Sequence, residues 1–185
     1  MKYLVSWASI FVVTLTTPTS IQQPQDVDSC RFTISASAAK PTITGPEDVT
    51  ALVHVIEQPD SPVEIVAADF KDSFVAVAND RFTEQLRCTL KIRNRGDHWI
   101  RSVNITVHVA SAAGAAGSEL QGPGRAQSLA PGQEIEIQGC GGGGNGSAAG
   151  NHVRIVLFVG RVDFDDCFYL PSKRYPRQLG VVTVG

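Results

Sequence analysis

Histidine is scarce in this sequence, and no two of His54, His98, His108 and His152 stand two or four residues apart. A local zinc pair on a strand or helix needs that spacing, so no metal motif is present. No two cysteines form a C-x-x-C pair, which removes both a thiol redox site and a zinc ribbon. The single methionine is Met1, and no cysteine is closely followed by a histidine. A blue-copper site, which some β-sandwiches carry, would therefore lack its ligands. No G-x-S-x-G elbow occurs. The glycine-rich stretch 139–150 contains G-x-G-x-x-G by composition alone, with no Lys after it and a strand pattern following Asn151. A phosphate cradle needs a helix at that point, so a nucleotide site is excluded and no cofactor is expected. No long basic run exists, and 16 basic residues meet 18 acidic ones, which gives no support to a nucleic-acid partner.

What the chain does have is alternation. Leu86, Cys88, Leu90 and Ile92 alternate with Arg87, Thr89, Lys91 and Arg93. Val103, Ile105, Val107 and Val109 then alternate with Ser102, Asn104, Thr106 and His108. Period-2 patterning of this kind predicts strands with one buried and one wet face. Asn94-Arg95-Gly96-Asp97 between the runs supplies turn residues, and an antiparallel hairpin is expected from Leu86 to Val109.

Residues 1–20 have the composition of an export signal: Lys2, a mostly apolar run from Tyr3 to Leu15, then small polar residues to Ser20. The run is shorter than the roughly 20 residues that a spanning helix needs, so no membrane span is expected after its removal. All four cysteines follow it, and an exported chain meets an oxidising compartment, so two disulfides are the default. Secreted or periplasmic localisation follows.

Residues 21–62 read as an N-terminal arm and first strands. Cys30 to Ser37 is a plausible strand, and Val49 to Ile56 is a buried strand or a short helix starting at Pro46. Val63 to Phe70 reads as a strand, and Phe74 to Val77 as a short edge strand. Ser111 to Gly132 reads as a long Ala/Gly/Ser/Pro connection that Leu120 could pin to the body, ending in the turn Leu129-Ala130-Pro131-Gly132. Ile135 and Ile137 should face inward, and Gly139 to Gly150, with seven glycines, should be a flexible hairpin tip. Val153 to Phe164 is apolar on both sides, as a central strand would be, with a bulge expected at Gly160-Arg161. Asp165-Asp166 should turn the chain into a strand from Cys167 to Leu170. Residues 171–185 read as a basic, proline-containing loop and a last short strand, Leu179 to Val184. Short strands punctuated by turns argue for an all-β sandwich.

Residues 63–170 resemble the immunoglobulin-like modules of bacterial exported proteins. The resemblance rests on Leu90-Lys-Ile-Arg-Asn-Arg-Gly96, Ile100-Arg-Ser-Val-Asn-Ile-Thr-Val107, Leu129-Ala-Pro-Gly132 and Val159-Gly-Arg-Val-Asp-Phe-Asp-Asp166. Asp166 stands where such modules often place the Gly of an Asp-Gly turn. The resemblance implies an immunoglobulin-like antiparallel β-sandwich and an architecture rather than an activity. With a bacterial source implied, the sequons Asn104-Ile-Thr106 and Asn145-Gly-Ser147 are chance matches.

Two function classes are on the table. The first is a non-catalytic exported domain with a binding or cell-envelope structural role, its partner a protein or glycan. The second is a secreted hydrolase or carbohydrate-active enzyme with a site assembled from distant residues, for which Asp163, Asp165 and Asp166 are the only start. Those carboxylates lack the further ligand spacing of calcium loops, and a wet strand face explains them more simply. Lys173-Arg174-Tyr175-Pro176-Arg177 is read as a solvated loop. The expected binding surface is Arg95, His98 and Trp99, on a turn gathered with the glycine-rich tip at one end of the sandwich. The bland alternative is a Trp99 tucked into the core.

The disulfide expectation is geometric. If strands 133–139 and 152–164 form a hairpin, Cys140 lies at its tip and Cys167 about ten residues away, at ~3.3 Å each. A disulfide needs Cα atoms within about 7 Å, which removes Cys140–Cys167 and so the sequential connectivity. Of the two that remain, Cys88–Cys167 with Cys30–Cys140 is expected.

Overall fold

The structure, a computed structural model, describes residues 30–36, 40–111, 114–121, 128–140, 142–148 and 153–171. The export signal 1–20, the arm 21–29, the basic loop 173–177 and the strand 179–184 expected above lie outside these residues.

The fold is all-β apart from one turn of helix. In chain order come β1 (Thr42–Thr44), α1 (Glu47–Thr50), β2 (Val53–Val55), β3 (Val63–Asp69) and β4 (Phe74–Ala78). They are followed by β5 (Arg81–Leu86), β6 (Thr89–Asn94), β7 (Ser102–Ser111) and β8 (Gly114–Gln121). The last are β9 (Glu134–Gln138), β10 (Gly142–Ser147), β11 (Val153–Asp163) and β12 (Phe168–Tyr169). One sheet runs β1-β3-β6-β9 and a second runs β12-β11-β7-β8 with β2 also along β11. A third is β10-β5-β4. The sheets are not purely antiparallel, because β1 pairs with β3, and β2 with β11, in parallel.

The apolar alternation is used as the sequence requires, but not as a hairpin. Leu90 and Ile92 on β6, and Val103, Ile105, Val107 and Val109 on β7, are all buried in one core. Yet β6 pairs with β3 and β9, while β7 pairs with β11 and β8. The chain crosses from the first sheet to the second between Asn94 and Ser102. A hairpin would put both apolar faces on one sheet, whereas the crossing sets them against each other. Full burial of a Leu, Ile or Val side chain is worth about 1.5–3 kcal/mol, and the crossing gains it on both strands.

The expected hairpin of strands 133–139 and 152–164 is also absent. β9 pairs with β6, and β11 lies between β7 on one side and β2 and β12 on the other. The bulge at Gly160-Arg161 is present, as the β11–β7 register shifts between Val159 and Val162. Within the glycine-rich stretch expected as a free tip, β10 runs antiparallel along β5 from Gly142↔Leu86 to Ser147↔Arg81. One of its glycines has a packing reason: a Cβ on Gly146 would lie 2.2 Å from the buried Phe82 ring. The connection 111–132 likewise holds β8, paired with β7. Val49 to Ile56 divides into both alternatives, α1 from the Pro46 N-cap and then β2.

These pairings decide the disulfides, which are Cys30–Cys167 and Cys88–Cys140, with Cα separations of 5.4 and 4.9 Å. The expected Cys88–Cys167 and Cys30–Cys140 pairs are overturned. Thr89 faces Gln138 across the β6–β9 ladder, and the Gly139 N–H donates to the Cys88 carbonyl at 2.9 Å. The next residues outward on that side are Cys88 and Cys140. Both disulfides fit an oxidising environment. Among the described residues no helix is long and apolar enough to cross a membrane.

Candidate functional site

The β6–β7 crossing builds the most organised surface feature, and Asn94 is its anchor. Asn94 is completely buried. Its Nδ2 donates to the His98 carbonyl at 2.8 Å and to the Leu129 carbonyl at 3.0 Å. Its Oδ1 accepts from the Gly96 N–H at 2.9 Å. Its main chain is paired too, accepting from Gly132 N–H and donating to the Gln133 carbonyl. One amide therefore holds the turn in register with the segment Leu129–Gln133, and a buried amide used this fully is rigidifying. Gly132, at φ +75°, supplies the left-handed residue that the Leu129–Gly132 turn needs.

The outer part of the turn is braced by Asp97. Its Oδ1 accepts from the Thr33 N–H at 3.0 Å and from His98 Nδ1–H at 2.6 Å. The His98 bond first, and then the Thr33 N–H, hold its carboxyl down to about 2. The 30–36 segment is held alongside by the Ile34↔Gly96 bridge and by the Cys30–Cys167 disulfide. The His98 ring meets the Phe164 ring edge-on, with centroids 6.2 Å apart.

The three residues expected to form the binding surface separate. Trp99 is 55 % exposed, and His98 is exposed beside it. The tucked-in alternative for Trp99 is thus set aside. Arg95 does not share their surface. It is 8 % exposed, donates from Nη2 to the Pro59 carbonyl at 2.8 Å, and lies near Glu64. The reason is strand alternation after Asn94, which turns the Arg95 side chain toward β3 and β2. A cavity of about 310 Å³ opens there between Val55, Val63, Ile65 and Val159. Its cations Lys40 and Arg95 are balanced by Glu57 and Glu64, so its charge selects no ligand sign. The glycine-rich stretch is also at the other end of the fold. Cys140 is tied to Cys88 before β6, whereas the turn follows β6.

Around the turn, two of the three residues of the acidic cluster are engaged by neighbouring side chains. Asp163 accepts from Ser102 Oγ and Arg161 Nε, both at 2.5 Å, and Asp165 pairs with Arg101. Arg101 also donates to Ser128 Oγ at 2.7 Å. Arg161 in turn stacks over the Phe168 ring at 4.4 Å. Among the described residues no group of three His, Cys, Asp or Glu side chains could hold a metal ion. Asn94 and Asp97 are functional residues beyond those the sequence singles out: Asn-x-Gly-Asp reads as an ordinary turn, whereas the structure makes Asn94 a buried anchor and Asp97 an outer brace.

No family model, curated protein or solved structure matches this chain.

Proposed function

We propose that the chain is a non-catalytic, exported β-sandwich domain of the immunoglobulin-like kind, and that it binds a protein or glycan partner at the cell envelope through the Asp97–Trp99 turn. One observation carries this reading: the most exposed aromatic side chain among the described residues, Trp99, sits on a turn fixed by a buried amide. A pre-ordered turn loses little conformational freedom on binding, and Trp is among the residues most enriched at binding hot spots. Export is supported by the composition of residues 1–20 and by two disulfides. The non-catalytic reading is supported by Asp163 and Asp165, whose carboxylates are taken up by Ser102, Arg161 and Arg101.

Trp7 and Trp99 are the two tryptophans of the chain, so the chain from residue 21 onward reports through Trp99 alone. Its emission should be that of a water-exposed indole, freely quenched by acrylamide. Titration with cell-wall glycan fragments, and separately with purified envelope proteins, should shift that emission to the blue and protect it from quenching with a partner. Saturable binding by a partner that leaves Trp99 emission and quenching unchanged would place the binding surface elsewhere.

A further inference from the structure

The β4 edge of the third sheet is apolar and exposed. β4 reads Phe74-Val75-Ala76-Val77-Ala78, with no charge, no proline and no bulge. Phe74 is 44 % and Val77 38 % exposed, and Ala76 and Ala78 are exposed as well. Among the described residues no strand lies along its outer edge. β9, the edge of the first sheet, carries the exposed charges Glu134 and Glu136 instead. Charges of that kind are the usual protection against edge pairing.

β4 and β5 are joined by the two residues Asn79 and Asp80, both at positive φ (51° and 58°), with Ala78 paired to Arg81. A two-residue loop of this kind is closed by a hydrogen-bonded pair. Alternation along an antiparallel ladder then sends the main-chain groups of Phe74, Ala76 and Ala78 to β5. The N–H and C=O of Val75 and Val77 point outward. Two copies of such a strand fit one another about a two-fold axis at Ala76. Val75 then exchanges both hydrogen bonds with Val77 of the second copy, and the reverse, giving about four bonds in all. Large meets small, since each Phe74 falls beside Ala78 of the other copy.

We propose that β4 is a self-association edge, and that two copies of the chain join their third sheets antiparallel about Ala76 into one continuous sheet of β10-β5-β4 and its symmetry mate. An uncharged edge meets an uncharged edge, so the paired residues carry no like-charge penalty. Even complete covering of Phe74, Ala76, Val77 and Ala78 would bury at most on the order of 250 Å² per copy, against the roughly 800 Å² per partner of a stable interface. The dimer is therefore weak and concentration-dependent, a contact suited to chains crowded at a surface.

The test uses the full-length chain, produced through an oxidising secretory route. Sedimentation velocity over a wide concentration range should show monomer giving way to dimer. Val77→Pro removes an outward N–H that β5 does not use, so the fold should keep its melting temperature while dimer dissociation becomes at least about tenfold easier. Register is tested by cysteine. Ala76→Cys sits on the axis, where a non-hydrogen-bonded pair brings Cα atoms to about 4.5 Å, within disulfide reach. It should give a covalent dimer on oxidation, whereas Ala78→Cys, about 13 Å from its copy at ~3.3 Å per residue, should not. A chain that stays monomeric at every concentration, with no Ala76→Cys cross-link, overturns the proposal. So does a dimer that Val77→Pro leaves intact, or one in which both cysteine variants cross-link equally.

Discussion

Replacing Asn94 with aspartate keeps the shape of the side chain but removes both N–H donors that hold the His98 and Leu129 carbonyls. The acceptor facing the Gly96 N–H is kept. Because the side chain is fully buried, water cannot substitute for the lost donors. The Leu129 carbonyl keeps the Ile100 N–H, so the His98 carbonyl is the one that loses its donor, at about 1–3 kcal/mol, and the new buried carboxylate must also be desolvated. A loss of at least about 3 kcal/mol at neutral pH follows, a large part of the ~5–15 kcal/mol that holds a domain together. Its pH dependence has a definite sign. Burial and two facing carbonyl oxygens raise the folded pKa of the introduced carboxyl above its unfolded value of about 3.9. The stability it permits is then fully present below that unfolded value and is lost as pH rises through the folded one. Urea unfolding of wild type and Asn94→Asp at several pH values between neutral and about 4 would measure the difference. The gap should be widest near neutrality and narrow on acidification, as the protonated carboxyl regains one donor. A gap below about 1 kcal/mol at neutral pH, or one independent of pH, would refute the anchoring role given to Asn94.

Three further outcomes are expected. Opening the Cys88–Cys140 bridge with a paired serine substitution should cost about 4 kcal/mol, and opening Cys30–Cys167 about 5, from sequence separations of 52 and 137 residues. A non-reducing peptide map would check the pairing first. Asp97, held at about 2, contributes stability above its usual value near 4 that is lost as pH falls through about 2. Wild-type melting should therefore decline more steeply over that window than melting of Asp97→Asn. Gly146→Ala should cost about 1–3 kcal/mol, because its Cβ would enter the buried Phe82 ring, and Phe82→Leu in the same chain should recover part of it in thermal unfolding.

Local patterning was legible in this sequence, and pairing was not. Leu90, Ile92, Val103 and Ile105 could be assigned to buried faces because the side-chain period belongs to the strand itself. Whether β6 and β7 form a hairpin or face each other from two sheets leaves the same alternation, so the crossing could not be read from it. The disulfide error came from that level too, since the expected pairing leaned on a β9–β11 hairpin, while the β6–β9 ladder puts Cys88 beside Cys140. The sequential connectivity is absent, although the β9–β11 hairpin that would exclude it is absent too. The glycines of β10 suggest a loop by composition, whereas the strand pairs with β5, and the Phe82 ring explains why a glycine stands at 146. β5 left a usable signal in Asn79-Asp80, a pair that tolerates positive φ, ahead of the alternating Arg81–Leu86. In the candidate site, the exposure of Trp99 ran against the general burial of tryptophan, because the Asn94 network spends the turn's inward direction on an amide.

The central claim is that Trp99 serves recognition rather than the core, and the Trp99→Ala variant tests it in a single paired experiment. With 55 % of the residue exposed, truncation removes on the order of 100 Å² of buried surface, or about 1–2 kcal/mol after allowance for the unfolded chain. Its completely buried neighbour sets the scale, since Ile100→Ala should cost about 2–5 kcal/mol. Melting temperature and partner affinity would be measured together on wild type, Trp99→Ala and Ile100→Ala. The account predicts that Trp99→Ala melts within a few degrees of wild type and binds at least about thirtyfold more weakly, as loss of a hot spot of 2 kcal/mol or more requires. A Trp99→Ala variant that melts as low as Ile100→Ala, or that binds its partner as wild type does, would contradict it.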